Sequence, residues 1–102
     1  MAKYTILVEG ERIAVRPMGK FTFKGEGFFI HLQRYTRDKV GITHVESGLS
    51  AGMIDRYTGY RAIGMKRVAY SKQQLMDAAV ARLARIPEEN FLQAMRRARG
   101  ES

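Results

Sequence analysis

Apolar residues recur at every second position through the first two-thirds of the chain and at three- and four-residue intervals through the last third. Strands are therefore predicted first and helices after. Tyr4, Ile6 and Val8 alternate with Thr5 and Leu7; beyond Glu9-Gly10-Glu11, Ile13 and Val15 alternate with Arg12, Ala14 and Arg16. Two such runs about a glycine turn predict a β-hairpin. Pro17-Met18-Gly19 ends the second run, because proline brings no amide to a ladder. Phe21 and Phe23 flank Thr22, and Gly25-Glu26-Gly27 predicts the next turn. Phe28, Ile30 and Leu32 then share one side of a strand whose other side holds Phe29, His31 and Gln33. A polar stretch, Arg34 to Lys39, leads to a strand from Val40 to Glu46, and Ser47-Gly48 turns the chain toward Leu49. From Ser50 to Gly64 the glycines at 52, 59 and 64 predict bulges or bends, with Met53-Ile54 and Ala62-Ile63 as short strands between loops.

The period changes at Ser71. Ser71-Lys72-Gln73-Gln74 matches a capping box, in which the serine hydroxyl accepts from the third helical amide and the glutamine reaches back to the serine amide. Leu75, Met76, Ala79, Val80 and Leu83 form one apolar stripe, and Phe91, Leu92, Met95 and Ala98 form a second. Pro87 separates them, and Glu88 and Glu89 complement the amino-terminal dipole of the second helix. The expected fold is α+β: an antiparallel sheet of five or six short strands between Lys3 and about Val68, then helices over about 72–86 and 88–99 packed on one face. At 102 residues the chain is long enough for one modest core, so a single domain spanning 1–102 is expected.

Composition narrows the chemistry. The absence of cysteine excludes disulfides, thiolate metal sites and cysteine nucleophiles, and fits a reducing compartment. No apolar run near the amino terminus is long enough for a signal peptide or membrane span, so a soluble cytoplasmic protein is expected. The glycines compose neither GxxxxGK[ST] nor GxGxxG, so no nucleotide cofactor is implied, and Ser47 and Ser50 lack the pattern of a nucleophile elbow.

Charge adds the strongest functional signal. Eighteen Lys and Arg against ten Asp and Glu give a net +8, and much of the excess stands beside tyrosine. Arg34-Tyr35-Thr36 and Arg56-Tyr57-Thr58 repeat one tripeptide, and Tyr60-Arg61 follows. A cation beside a flat ring suits phosphate contact with base stacking, so nucleic acid is the expected partner. The candidate binding set is Arg34, Tyr35, Arg37, Lys39, Arg56, Tyr57, Tyr60, Arg61, Lys66 and Arg67. If Arg34–Lys39 and Asp55–Arg61 are loops at one end of the sheet, they would place several cations and three tyrosines on one rim. A net charge away from zero also serves solubility alone. Arg96, Arg97 and Arg99 are assigned to the dipole of the last helix rather than to a ligand.

Two further readings are carried by other residues. A hairpin centred between Arg37 and Asp38 would set His31 opposite His44, and a shift of two summed positions would set His31 opposite Glu46. Two imidazoles on one face would serve as general acid and base of a metal-independent ribonuclease, or hold a metal with Glu46; the opposite register parity would separate them. A protein-interaction module would instead dock an acidic partner, or self-associate as a homodimer through an uncovered sheet edge or a patch of Met53, Ile54, Ile63 and Met65. A non-enzymatic accessory protein that binds DNA or RNA is the reading the composition favours. The order of strands leading through Ile42-Thr43-His44-Val45-Glu46-Ser47-Gly48-Leu49 to a capped helix is similar to that of small sheet-then-helix nucleic-acid-binding modules. The arm-binding domains of phage-type integrases and the double-stranded-RNA-binding domain are examples. The resemblance is one of architecture, and no site residue carries over from it.

Overall fold

The structure is a computed structural model that describes residues 4–33, 38–57, 68–98 and 100. Its elements run β1 (Thr5–Val8), β2 (Glu11–Ala14), β3 (Gly19–Phe23), β4 (Glu26–Leu32), β5 (Lys39–His44), β6 (Ser50–Asp55), α1 (Lys72–Ala84) and α2 (Glu88–Ala98). The class is α+β as expected, but the strands divide into two antiparallel sheets. The β1-β2 hairpin stands by itself, and β3-β4-β5-β6 form a meander. Pro17 explains the division, because the ladder cannot run through it. The next residue, Met18, donates to Ile30 O at 2.6 Å and starts a new edge.

Two tight turns set the hairpin registers. Val8 pairs with Glu11 and Phe23 with Glu26, leaving Glu9-Gly10 and Lys24-Gly25 as two-residue loops with positive φ at both positions. Such turns match the twist of the flanking strands, and glycine takes the second position without steric cost. The second turn thus lies one residue earlier than Gly25-Glu26-Gly27, and Glu26 and Gly27 belong to β4. In β6 the expected bulge is present: Ile42 pairs with Gly52 but Thr43 with Ser50, which leaves Ala51 as the extra residue. Ala62 and Ile63 lie outside the described residues.

One face of the meander carries the main core. Phe28 and Ile30 of β4 pair with His44 and Ile42 of β5, and Leu75, Ala79, Leu83, Phe91 and Met95 close over them from the helices. Each of Phe28, Ile30, Ile42, Leu75, Leu83, Phe91 and Met95 stabilises the fold by about 1.5–3 kcal/mol through its burial. The apolar stripes of the helices are narrower than the sequence pattern, since Val80 and Leu92 stay partly exposed. Ser71 caps α1 with both halves of the expected box in place. The opposite face of the sheet buries Phe29, His31 and Thr43, and the Tyr4 ring meets Phe29 edge-on with centroids 5.2 Å apart. Leu7 N donates to Gly48 O at 2.9 Å, tying the separate hairpin to the turn after β5. No helix among the described residues is long and apolar enough to cross a membrane.

Candidate functional site

The two histidines do not meet. In the β4-β5 ladder His31 is opposite Gly41, and His44 is opposite Phe28. Paired positions sum to an even number, so His31 and His44 project from opposite faces of the sheet. The apolar residues impose this parity: burying Phe28 and Ile30 together with Val40 and Ile42 requires even positions of one strand to face even positions of the other. An acid-base pair made of His31 and His44, and a metal site containing both, are thereby excluded.

Each imidazole has its own setting. His31 is buried, with its Nδ1 3.1 Å from Leu32 O and its Nε2 2.8 Å from the Thr43 hydroxyl. The carbonyl only accepts, so Nδ1 carries the proton and Nε2 accepts from Thr43. Burial lowers the His31 pKa below the ordinary 6.5, against a smaller upward pull from Leu32 O. All the ring's polar atoms serve packing, and none faces a reactant.

His44 anchors the more structured polar cluster. Its Nε2 lies 2.9 Å from Glu26 Oε1 and its Nδ1 lies 2.8 Å from Ser47 Oγ. The carboxylate accepts a hydrogen bond from Nε2–H, and Nδ1 faces the Ser47 hydroxyl and, at 3.3 Å, the Ser47 amide. Ser47 Oγ in turn accepts from Leu49 N at 3.1 Å. This Glu-His-Ser chain has the connectivity of a nucleophile relay. However, Ser47 is buried, and the adjacent Gly48 and Leu49 amides are committed to His44 O and Ser47 Oγ, leaving neither to stabilise an oxyanion. Glu46 completes the cluster: one ligand atom from each of Glu26, His44 and Glu46 lies within 4.8 Å of the others. On its other side the His44 ring borders a cavity of about 240 Å³, lined mainly by Phe28, Leu49, Leu83, Ile86, Phe91 and Met95.

The two described cationic candidates, Lys39 and Arg56, belong to the opposite end of the sheet. Lys39 opens β5 and forms an ion pair with Asp55 across the β5-β6 ladder. The Arg56 guanidinium lies over the Tyr57 ring, 5.3 Å from its centroid. Arg34, Tyr35, Arg37, Tyr60, Arg61, Lys66 and Arg67 lie outside the described residues. Their chain neighbours do not: Gln33 N donates to Lys39 O, Arg56 N to Asp38 O and Tyr70 N to Arg56 O, and Tyr57 bridges Ala69. Of the apolar docking set, Met53 is half exposed while Ile54 packs on the core, so these two do not share a surface; Ile63 and Met65 lie outside the described residues. Arg96 and Arg97 fall in the last turn of α2, where the helix dipole favours them.

Glu26 and Ser47 are the site residues the sequence pattern did not bring out. The signal for Glu26 is parity, since the even-sum register that buries Ile30 against Ile42 carries Glu26 toward Glu46. Ser47 is three residues after His44 within a turn, a spacing that local side-chain hydrogen bonds commonly use. No protein family, curated protein or solved structure matches this chain.

Proposed function

We propose that the protein binds nucleic acid through the end of the sheet where β4 leads to β5 and where β6 ends. The observation that carries the reading is the ladder Asp38-Arg56-Tyr70, closed by backbone bonds of 2.9 Å each. It brings together the described residues that border segments 34–37 and 58–67. Those segments contribute Arg34, Arg37, Arg61, Lys66 and Arg67 with no acidic residue, and Tyr35 and Tyr60 with them. Cations and aromatic rings in segments that start and end at the same ladder suit a phosphate backbone with its bases stacked alongside. Arg56 over Tyr57 adds a pair of the same kind within the described residues. Lys39 contributes less than its charge suggests, because Asp55 balances it.

Fluorescence anisotropy with labelled oligonucleotides of single- and double-stranded DNA and RNA tests this. Affinity falls steeply between about 50 and 200 mM salt, and R34A/R37A and K66A/R67A each flatten the logarithmic salt slope by about 1.5–2. Absence of binding at the low-salt end refutes the proposal. So does binding that neither double variant weakens.

A further inference from the structure

We infer that Glu26, His44 and Glu46 form a binding site for one divalent first-row transition-metal ion. The three residues converge from adjoining stretches: the start of β4, the end of β5 and the turn that follows it. Glu26 Oε1 lies 2.9 Å from His44 Nε2, and opening this hydrogen-bonded pair by about 0.5 Å would give the roughly 3.4 Å between neighbouring donors of a tetrahedral ion bonded at about 2.1 Å. Glu46 is exposed, and one of its carboxylate oxygens already lies within 4.8 Å of the ligand atoms of the other two. The site is consequently graded from inside to outside. The His44 side chain is 2% exposed, that of Glu26 is 12% exposed, and Glu46 stands at the solvent side, where an ion would enter.

Residues outside the cluster hold the donors in place. Ser47 Oγ contacts Nδ1 and is itself fixed by the Leu49 amide, which sets the plane of the His44 ring. Arg12 Nη2 donates to Glu46 O at 3.1 Å and anchors the backbone of the outermost donor to the β1-β2 hairpin. Outer hydrogen bonds of this kind orient a metal-binding imidazole. On binding, the imidazole proton shifts from Nε2 to Nδ1 and is donated to Ser47 Oγ, at the expense of the long contact from the Ser47 amide. Glu26 is freed from accepting that proton and turns its charge to the ion. One imidazole and two carboxylates, without sulfur, suit Zn²⁺, Co²⁺ or Mn²⁺. The ion would fasten the end of the sheet remote from Lys39 and Asp55, so this site is independent of the nucleic-acid reading.

Titration with Co²⁺ followed by visible absorption, and with Zn²⁺ followed by calorimetry, tests the assignment on the intact chain. The expected result is saturable binding of one ion per chain. E46Q alters an exposed side chain, keeps the fold, and lowers affinity at least ~10-fold, and E26Q does the same. H31Q, on the other face of the sheet, leaves binding unchanged. The inference is overturned if no one-to-one binding is seen, if E46Q and E26Q bind as tightly as the unaltered protein, or if H31Q abolishes binding.

Discussion

Replacing Gly41 by alanine tests the packing on the hairpin side of the sheet, because the His31 ring lies directly over this residue. A Cβ added at Gly41 would stand 2.8 Å from His31 Cε1 and 2.9 Å from its Nε2, where ordinary contact begins at 3.4 Å. The ring must therefore retreat by roughly half an ångström or more, judged by the shortest tolerated contacts in close-packed interiors. It has little freedom to do so, being held at 2.8 Å to Thr43 and at 3.1 Å to Leu32. Overpacking of this kind costs about 1–3 kcal/mol. The Gly41 backbone has no positive φ, so alanine is otherwise acceptable there and removes chain entropy from the unfolded state. With His31 already replaced by alanine only Gln33 Nε2, the end of a flexible side chain 3.0 Å from that Cβ, has to shift, so most of the cost disappears. Urea denaturation of the four proteins in the cycle (unaltered, G41A, H31A and the double variant) measures the coupling directly. Equal costs for G41A in both backgrounds would show that the ring does not fill this space and would refute the reasoning.

The pH dependence of stability follows from the same histidine. Its pKa is lowered in the folded protein by burial, so on acidification the unfolded chain takes up the proton first. Stability accordingly falls as pH drops below about 6.5 and keeps falling until the folded imidazole also charges, at no more than about 1.4 kcal/mol per pH unit. Denaturation midpoints near pH 7.5 and 5.5 should show a larger acid loss for the unaltered protein than for H31Q; parallel losses would assign the effect to other groups. At the start of α1, Ser71 Oγ accepts from Gln74 N at 3.2 Å while Gln74 Oε1 accepts from Ser71 N at 2.8 Å. S71A should cost about 1 kcal/mol and S71G only a few tenths, read as a drop of several degrees in Tm for the first and little for the second; equal drops would contradict the cap.

Much of the fold could be read from residues whose role is local. The capping box at Ser71 and the break at Pro87 each depend on a few adjacent positions, and each is found where the pattern placed it. The glycines of 50–64 fit bulges, bends or a flexible loop alike, and the ladder to β5 decides for a bulge at Ala51. The register of β4 on β5 depends on two separated strands. The even positions Phe28, Ile30, Val40 and Ile42 held the answer, since their joint burial fixes the parity. A hairpin centred between Arg37 and Asp38 has the parity that joins the two histidines, and the observed ladder has the opposite parity, which divides them. The Glu26-His44-Glu46 cluster was out of reach for the same reason. Its members become neighbours only once the register is known, and Gly25-Glu26-Gly27 reads as a turn although Glu26 opens β4.

The bulge in β6 also bears on how molecules of this protein meet one another. β6 is an outermost strand of the meander, and the extra residue at Ala51, with Gly52 at φ 132°, kinks the backbone part-way along its six residues. A strand from another copy could keep step with only one side of that kink, so growth of the sheet from chain to chain would halt within a few residues.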